Sequence, residues 1–136
     1  MKKFAQSLLL SASLAVTALP SFAEIVIVIN PKNAAPQMSS EQAAQYFLGK
    51  STTFTPVDQT EGSAIRLEFY KKLADKEASQ VKAIWSKLVF TGKGTLPREM
   101  ASNDAVKKAV AADTNAIGYI EKSAVDGSVK VVATLH

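Results

Sequence analysis

A continuous run of β-branched residues extends from Ile25 to Ile29 and is stopped by Asn30 and Pro31. Apolar side chains occupy every position of this run, whereas a strand with one solvated face alternates between apolar and polar residues. The pattern therefore predicts a strand covered on both faces, which favours a central strand with helices around it.

Four later segments have the apolar spacing of helices. Ser39 followed by Gln42 resembles a capping box and predicts a short amphipathic helix that ends at Gly49. Ser63 is a suitable N-cap for a second helix, which should end near Asp75.

The third helix has the clearest periodicity and should end before Gly92, and a fourth helix should start at Ser102 or Asn103. The spacing i, i+3, i+4, i+7, i+8 predicts that the third helix faces the core with Val81, Ile84, Trp85, Leu88 and Val89.

Further strands are predicted between these helices. Thr52–Val57 is a short or edge strand because Pro56 interrupts it, 91–97 is a loop, and Ile117–Ile120 and Ser128–Leu135 are the last two strands. Strands interleaved with helices predict a single α/β domain, from Glu24 to His136, with a mixed sheet flanked by helices.

The N-terminus has the organisation of a secretory signal peptide. Lys2 and Lys3 precede an apolar stretch from Leu8 to Leu19, and Ser21-Phe22-Ala23 supplies small residues for cleavage. The stretch is shorter than the roughly 20 residues of a spanning helix and ends at Pro20. We therefore expect residues 1–23 to be removed, a periplasmic location, and no membrane insertion afterwards.

Composition excludes several kinds of enzyme. The chain has no cysteine, so thiolate catalysis and cysteine–zinc sites are ruled out, and its only histidine is the last residue, His136, which argues against a Ser-His-Asp triad within one chain. Residues 24–136 carry 14 basic and 12 acidic side chains, a small excess that does not suggest a nucleic-acid binder. We expect a protein that is not an enzyme and holds no metal or cofactor.

The turn at Glu61-Gly62-Ser63-Ala64 is the best candidate for chemistry. A small-residue turn that leads into a helix directs free N–H groups, a hydroxyl and the positive end of the helix dipole to one spot, which suits an anion. Arg66 falls in the first turn, where the dipole disfavours a cation, so a bound oxyanion, Glu61 or Glu68 should compensate it. An ordinary serine cap explains the same residues.

Other motifs have plainer explanations. Gly49-Lys50-Ser51 resembles the end of a phosphate-binding loop, but Ala44 stands where that motif needs glycine, so a helix C-cap is favoured. Trp85, Tyr46 and Tyr119 lie in apolar patterns and should pack in the core. Most carboxylates fall in polar segments or at helix ends, where solvation explains them; these are Asp75, Glu77, Glu99, Asp104, Asp113 and Asp126.

Five short motifs in a fixed order carry a family resemblance. They are Tyr46-Phe47-Leu48-Gly49-Lys50, Phe54-Thr55-Pro56-Val57-Asp58, Gly62-Ser63 with Phe69, Trp85 with Phe90-Thr91-Gly92-Lys93-Gly94, and Ala116-Ile117-Gly118-Tyr119. In this order the chain resembles the second lobe of the phosphate-binding subunit of phosphate ABC transporters, a type 2 periplasmic binding protein. It is most similar to the small single-domain PstS-like proteins.

The resemblance implies a ligand site and a function. The family motif is an arginine, three residues and then Ser-Gly-Thr; here Gln59 takes the place of the arginine and Ser63-Ala64-Ile65 that of the triplet, so only the Gly62-Ser63 core is retained. The implied ligand-binding residues are Gln59, Gly62, Ser63 and Ala64, and Arg66 is the candidate to replace the missing arginine.

The implied function is periplasmic solute binding, with phosphate or a similar oxyanion as ligand, linked to ABC-type phosphate uptake. The implied partners are an ABC transporter, another periplasmic protein or a second copy of the chain. An adaptor that keeps the fold but has lost solute binding is the alternative, which the residues at positions 59 and 65 favour.

Overall fold

The computed structural model describes residues 24–136. The strands are β1 (Ile25–Ile29), β2 (Thr55–Gln59), β3 (Arg98–Met100), β4 (Ala116–Glu121) and β5 (Lys130–Leu135). The helices are α1 (Ser40–Phe47), α2 (Ala64–Ala74), α3 (Ala78–Phe90) and α4 (Asn103–Ala112), and a 3₁₀ turn covers Lys122–Ala124. The signal-peptide prediction lies outside the described residues.

The five strands form one mixed sheet in the order β3-β2-β4-β1-β5. Strand β1 is antiparallel to both β4 and β5, whereas β2 is parallel to β3 and β4. All five residues of β1 are buried, which confirms the predicted strand covered on both faces. Side chains alternate along a strand, so Ile25, Ile27 and Ile29 pack in one core and Val26 and Val28 in the other.

The two faces of the sheet carry different helices. Helices α1, α2 and α3 supply aromatic side chains to the larger core, which includes Phe47, Phe69 and Trp85. Helix α4 covers the opposite face with Val106 and Val110. The helix lies so close to β4 that a Cβ at position 118 would be 2.7 Å from Cγ1 of Val106, so glycine there allows the contact.

The predicted helices are confirmed, with local corrections. The Ser39, Ser63 and Ser102 side chains each cap a helix, and Gly49 ends α1 with φ 72°. One expectation was wrong in detail, since Val89 lies in the last turn of α3 and is 44% exposed. The predicted loop 91–97 is present, and strand β3, which was not predicted, follows it at Arg98.

Strand β2 also departs from its predicted position. It runs to Gln59, and it lies between β3 and β4 rather than at an edge. Pro56 is accommodated because pairing with β3 begins only at Val57, so one side of the strand needs no N–H at position 56. The extension carries two buried polar residues, Asp58 and Gln59, to the end of the strand.

Candidate functional site

A buried carboxylate lies at the end of β2. Asp58 is 2% exposed and accepts hydrogen bonds from the hydroxyl groups of Tyr119 and Tyr70, the latter at 2.6 Å. Its Oδ1 also accepts the N–H of Gln59 at 2.8 Å. A carboxylate removed from water is costly unless it is paired and hydrogen-bonded, and these donors meet that requirement. Sequence reasoning missed this residue as a site residue.

Arg66 is held between two carboxylates. Its Nη1 is 2.5 Å from Glu99 Oε1 and donates to the carbonyl oxygen of Gln59 at 3.0 Å, while its Nε lies 3.8 Å from Asp58 Oδ1. Burial lowers the Arg66 pKa, but the charge of Asp58 and the other nearby groups outweigh it, so that its pKa is raised. The guanidinium therefore stays charged, and Glu99 and Asp58 supply the negative charge that the helix dipole demands.

The two carboxylates expected to balance Arg66 are engaged elsewhere. Glu61 lies 3.8 Å from the Nζ of Lys82, and Glu68 pairs with Lys72 at 2.9 Å. Glu99, which was expected to be a solvated carboxylate, has a side chain 47% exposed and also pairs with Arg66. The two residues are 33 positions apart, and β3, which was not predicted, brings them together.

The start of α2 has the predicted form. Gly62 has φ 84°, a conformation that favours glycine, and Ser63 Oγ accepts the N–H of Arg66 at 3.4 Å. The first N–H groups of a helix have no acceptor within the helix, so those of Ala64 and Ile65 face outward from the helix start. Gly62 and Ala64 are exposed. This end of α2 is therefore open to a ligand from solution.

The side chain of Gln59 points away from the other predicted ligand-binding residues. Its side-chain amide donates to Asn103 Oδ1 at 3.1 Å and to the carbonyl oxygen of Tyr119 at 3.0 Å, and the residue is 4% exposed. Only its backbone carbonyl contacts Arg66. The structure thus brings Gly62, Ser63, Ala64 and Arg66 together at the helix start, with the Gln59 side chain turned away toward α4 and β4.

An open cavity of about 340 Å³ adjoins Arg66. Its charged lining consists of two cations and three carboxylates, and α3 and the loop before β3 supply most of the remainder. The lining residues are Asp58, Glu61, Arg66, Lys82, Trp85, Ser86, Leu96, Pro97 and Glu99. The lining is suited to a small polar ligand that carries both hydrogen-bond donors and acceptors.

The two tyrosines beside Asp58 predict an alkaline loss of stability. Burial, followed by the charge and hydrogen bond of Asp58, raises the pKa of both Tyr70 and Tyr119 above the ordinary value of 10.0. Below that value both states of the chain keep the protons. Above it only the unfolded chain loses them, so the free energy of unfolding should fall by up to about 1.4 kcal/mol per pH unit for each tyrosine.

Urea unfolding at pH values from about 9 to 11 measures this dependence. The variant Tyr70→Phe should show a shallower decline than the unmodified protein, because it has one fewer group with a raised pKa. If the free energy of unfolding declined equally steeply with pH in both proteins, Tyr70 could not be one of the groups that cause the decline.

The described residues offer neither a membrane span nor a metal site of the usual kind. Within 24–136, no helix is long and apolar enough to cross a membrane. In the same range, no group of three or more His, Asp or Glu side chains is placed to hold a metal ion.

Comparison with solved structures finds proteins with a similar fold. An ABC-type phosphate transport receptor from Vibrio cholerae is similar at 23% identity and TM-score 0.64, over 81% of this chain and 47% of that chain. A phosphate ABC transporter substrate-binding protein with bound phosphate from Clostridium perfringens is similar at 23% identity and TM-score 0.61. The match covers 81% of this chain and 45% of that chain. PstS from Borrelia burgdorferi matches at 11% identity and TM-score 0.61, over 82% and 47%.

These similarities confirm the predicted fold class. The chain has the α/β fold of one lobe of a periplasmic binding protein, and it spans about half the length of the solved structures that it matches. No protein-family model matches the chain, and no curated protein sequence matches it.

Proposed function

We propose that this protein is an exported, periplasmic solute-binding protein that binds phosphate or a similar oxyanion at the start of α2 and serves ABC-type phosphate uptake. The proposed activity is binding without catalysis. The observation that carries the proposal is the open start of α2, where Ser63 and the outward N–H groups lie between Glu61 and Arg66, two residues that line the 340 Å³ cavity. The three similar structures are named for phosphate transport or binding, or as PstS, which supports the choice of ligand.

The helix start supplies the attraction for an oxyanion. Outward N–H groups and the positive end of the helix dipole favour negative charge, and an arginine adds a charge-assisted hydrogen bond. Arg66 already shares its charge with Glu99 and Asp58, so a ligand must compete with these carboxylates. We therefore expect weak binding, and we expect it to fall as salt concentration rises.

The carboxylates of the cavity favour an oxyanion that carries a proton. Asp58, Glu61 and Glu99 repel a fully ionised anion, but the exposed Glu61 and Glu99 can each accept a hydrogen bond from a protonated oxygen. Phosphate keeps a proton near neutral pH and sulfate does not. The lining thus predicts a preference for phosphate over sulfate.

Isothermal titration with phosphate and with sulfate at low salt tests the proposal. Loss of a hydrogen bond to a charged group costs roughly 1.5–3 kcal/mol, so Arg66→Ala should weaken phosphate binding by about 10- to 100-fold. Ser63→Ala should weaken it as well. Glu99→Gln should strengthen it, because the change frees Arg66 and removes a negative charge.

Ser102→Ala is the matched control. Ser102 caps α4 as Ser63 caps α2, so both alanine variants lose a helix cap worth about 1 kcal/mol. Only the change at Ser63 should alter the titration. Equal weakening in both variants would assign the effect to stability, and the absence of heat at millimolar phosphate would refute the proposal.

The adaptor remains the second candidate function. The observation that favours it is the neutralisation of Arg66 by Glu99 and Asp58 within the chain itself, together with the inward side chain of Gln59. A protein that folds normally and gives no heat with either anion, in the wild type and in Glu99→Gln, is the outcome that supports this alternative.

A further inference from the structure

One end of the molecule combines basic charge with exposed apolar side chains. Phe90, the last residue of α3, is 92% exposed, and Leu96 in the following loop is 62% exposed. Phe90 is a large apolar side chain that the fold leaves almost uncovered. An apolar side chain this exposed gains free energy when a partner removes it from water.

Two lysines lie close to Phe90 along the chain. Lys87 is in the last turn of α3, and the backbone N–H of Lys93 donates to the carbonyl oxygen of Leu88 at 2.8 Å, so the loop folds back on the helix. Lys50 lies between Gly49 and Ser51, which line the same small cavity as Lys93. We call Lys50, Lys87, Phe90, Lys93 and Leu96 the basic-apolar end.

The two segments that form this end contain no acidic residue. Segments 42–57 and 78–98 carry five basic residues, which are Lys50, Lys82, Lys87, Lys93 and Arg98. The rest of 24–136 carries nine basic and twelve acidic residues. Three of these five, Lys50, Lys87 and Lys93, belong to the basic-apolar end, and the complement of their positive charge is an anionic surface.

We propose that the basic-apolar end docks this protein on an anionic phospholipid membrane surface. Phe90 and Leu96 enter the boundary between headgroups and acyl chains, and Lys50, Lys87 and Lys93 remain among the anionic headgroups. Exposed apolar side chains with lysines nearby in the chain suit a lipid surface, which needs no complementary shape. A stable protein interface buries about 800 Å² on each partner, with packed complementary surfaces. The attachment is peripheral and does not require a bound oxyanion, although Leu96 also lines the cavity beside Arg66.

Vesicle co-sedimentation tests the proposal. The protein is purified in the form that accumulates after export, and its N-terminus is identified by mass spectrometry, because the stretch 8–19 is itself apolar. The probes are vesicles of phosphatidylcholine with phosphatidylglycerol and vesicles of phosphatidylcholine alone. We expect binding to the anionic vesicles only, and we expect high salt to weaken it.

Two double variants separate the contribution of the lysines to vesicle binding from that of the apolar side chains. Lys87→Gln with Lys93→Gln should weaken binding about thirtyfold, because each substitution removes the attraction of one lysine to the anionic headgroups. Phe90→Ser with Leu96→Ser should weaken it about tenfold or more, and because both side chains are exposed the fold should remain intact. The controls are Leu67→Ser, at a side chain 46% exposed on α2, and Lys32→Gln with Lys108→Gln, at exposed lysines elsewhere.

Three results would overturn the proposal. The first is absence of binding to anionic vesicles. The second is equal binding by the variants of the basic-apolar end and by the controls. The third is binding to duplex DNA or to an acidic protein, with no binding to vesicles, which would assign the surface to another class of partner.

Discussion

Replacing Asp58 with alanine should lower the free energy of unfolding by about 2–6 kcal/mol, because a buried hydrogen-bonding group left without its partner costs about 1–3 kcal/mol and the change leaves two such groups. In this protein the change removes the acceptor of two tyrosine hydroxyl groups, those of Tyr70 and Tyr119, and one of the two carboxylates near Arg66. Urea unfolding followed by circular dichroism measures the loss.

Two further variants define the origin of this effect. Asp58→Asn keeps the shape and an acceptor oxygen but removes the charge, so its destabilisation should be smaller than that of Asp58→Ala. Asp104→Ala is the matched control, since the Asp104 side chain is 81% exposed and its ion pair with Lys107 should contribute less than about 1 kcal/mol. Similar losses in Asp58→Ala and Asp104→Ala would show that the buried network does not stabilise the fold.

The parts of the fold that were predicted correctly have local signals. The apolar run of β1 and the serine caps of α1, α2 and α4 each depend on neighbouring residues, so the sequence contains the information directly. Strand β3 has no such signal, because Arg98 and Glu99 are exposed and the strand is three residues long. Its position depends on pairing with β2, which the hydrophobic pattern does not reveal.

The candidate site also combines a local feature that the sequence predicts with contacts between distant residues that it does not. The Gly62-Ser63 turn was predicted because a turn and a helix cap are local features. The partners of Arg66 and Asp58 were not, because Glu99 is 33 residues from Arg66 and Tyr119 is 61 residues from Asp58. The one available signal for Asp58 was its position directly after the predicted strand Thr52–Val57, since a polar residue next to buried neighbours needs partners from elsewhere in the fold.

Phe69→Ala should also cost about 3–5 kcal/mol of stability, the usual range for removing a buried phenylalanine ring. Phe69 is fully buried, and its ring stacks on Tyr119 with centroids 3.6 Å apart and lies edge to face with Phe47 and Tyr70. Urea unfolding measures the loss. Leu67→Ala is the control on the same helix, where the side chain is 46% exposed, and it should cost less than about 1 kcal/mol.

The contact with Tyr119 gives Phe69 a second role that packing alone does not predict. Because the Phe69 ring supports the tyrosine whose hydroxyl group binds Asp58, a change in packing at position 69 should weaken that hydrogen bond. Phe69→Leu and Tyr119→Phe should therefore be non-additive, with a coupling energy of about 0.5–3 kcal/mol in a double-mutant cycle. Additive losses would mean that Tyr119 keeps its position without the stacked ring, and that Asp58 depends on the sheet rather than on the aromatic core.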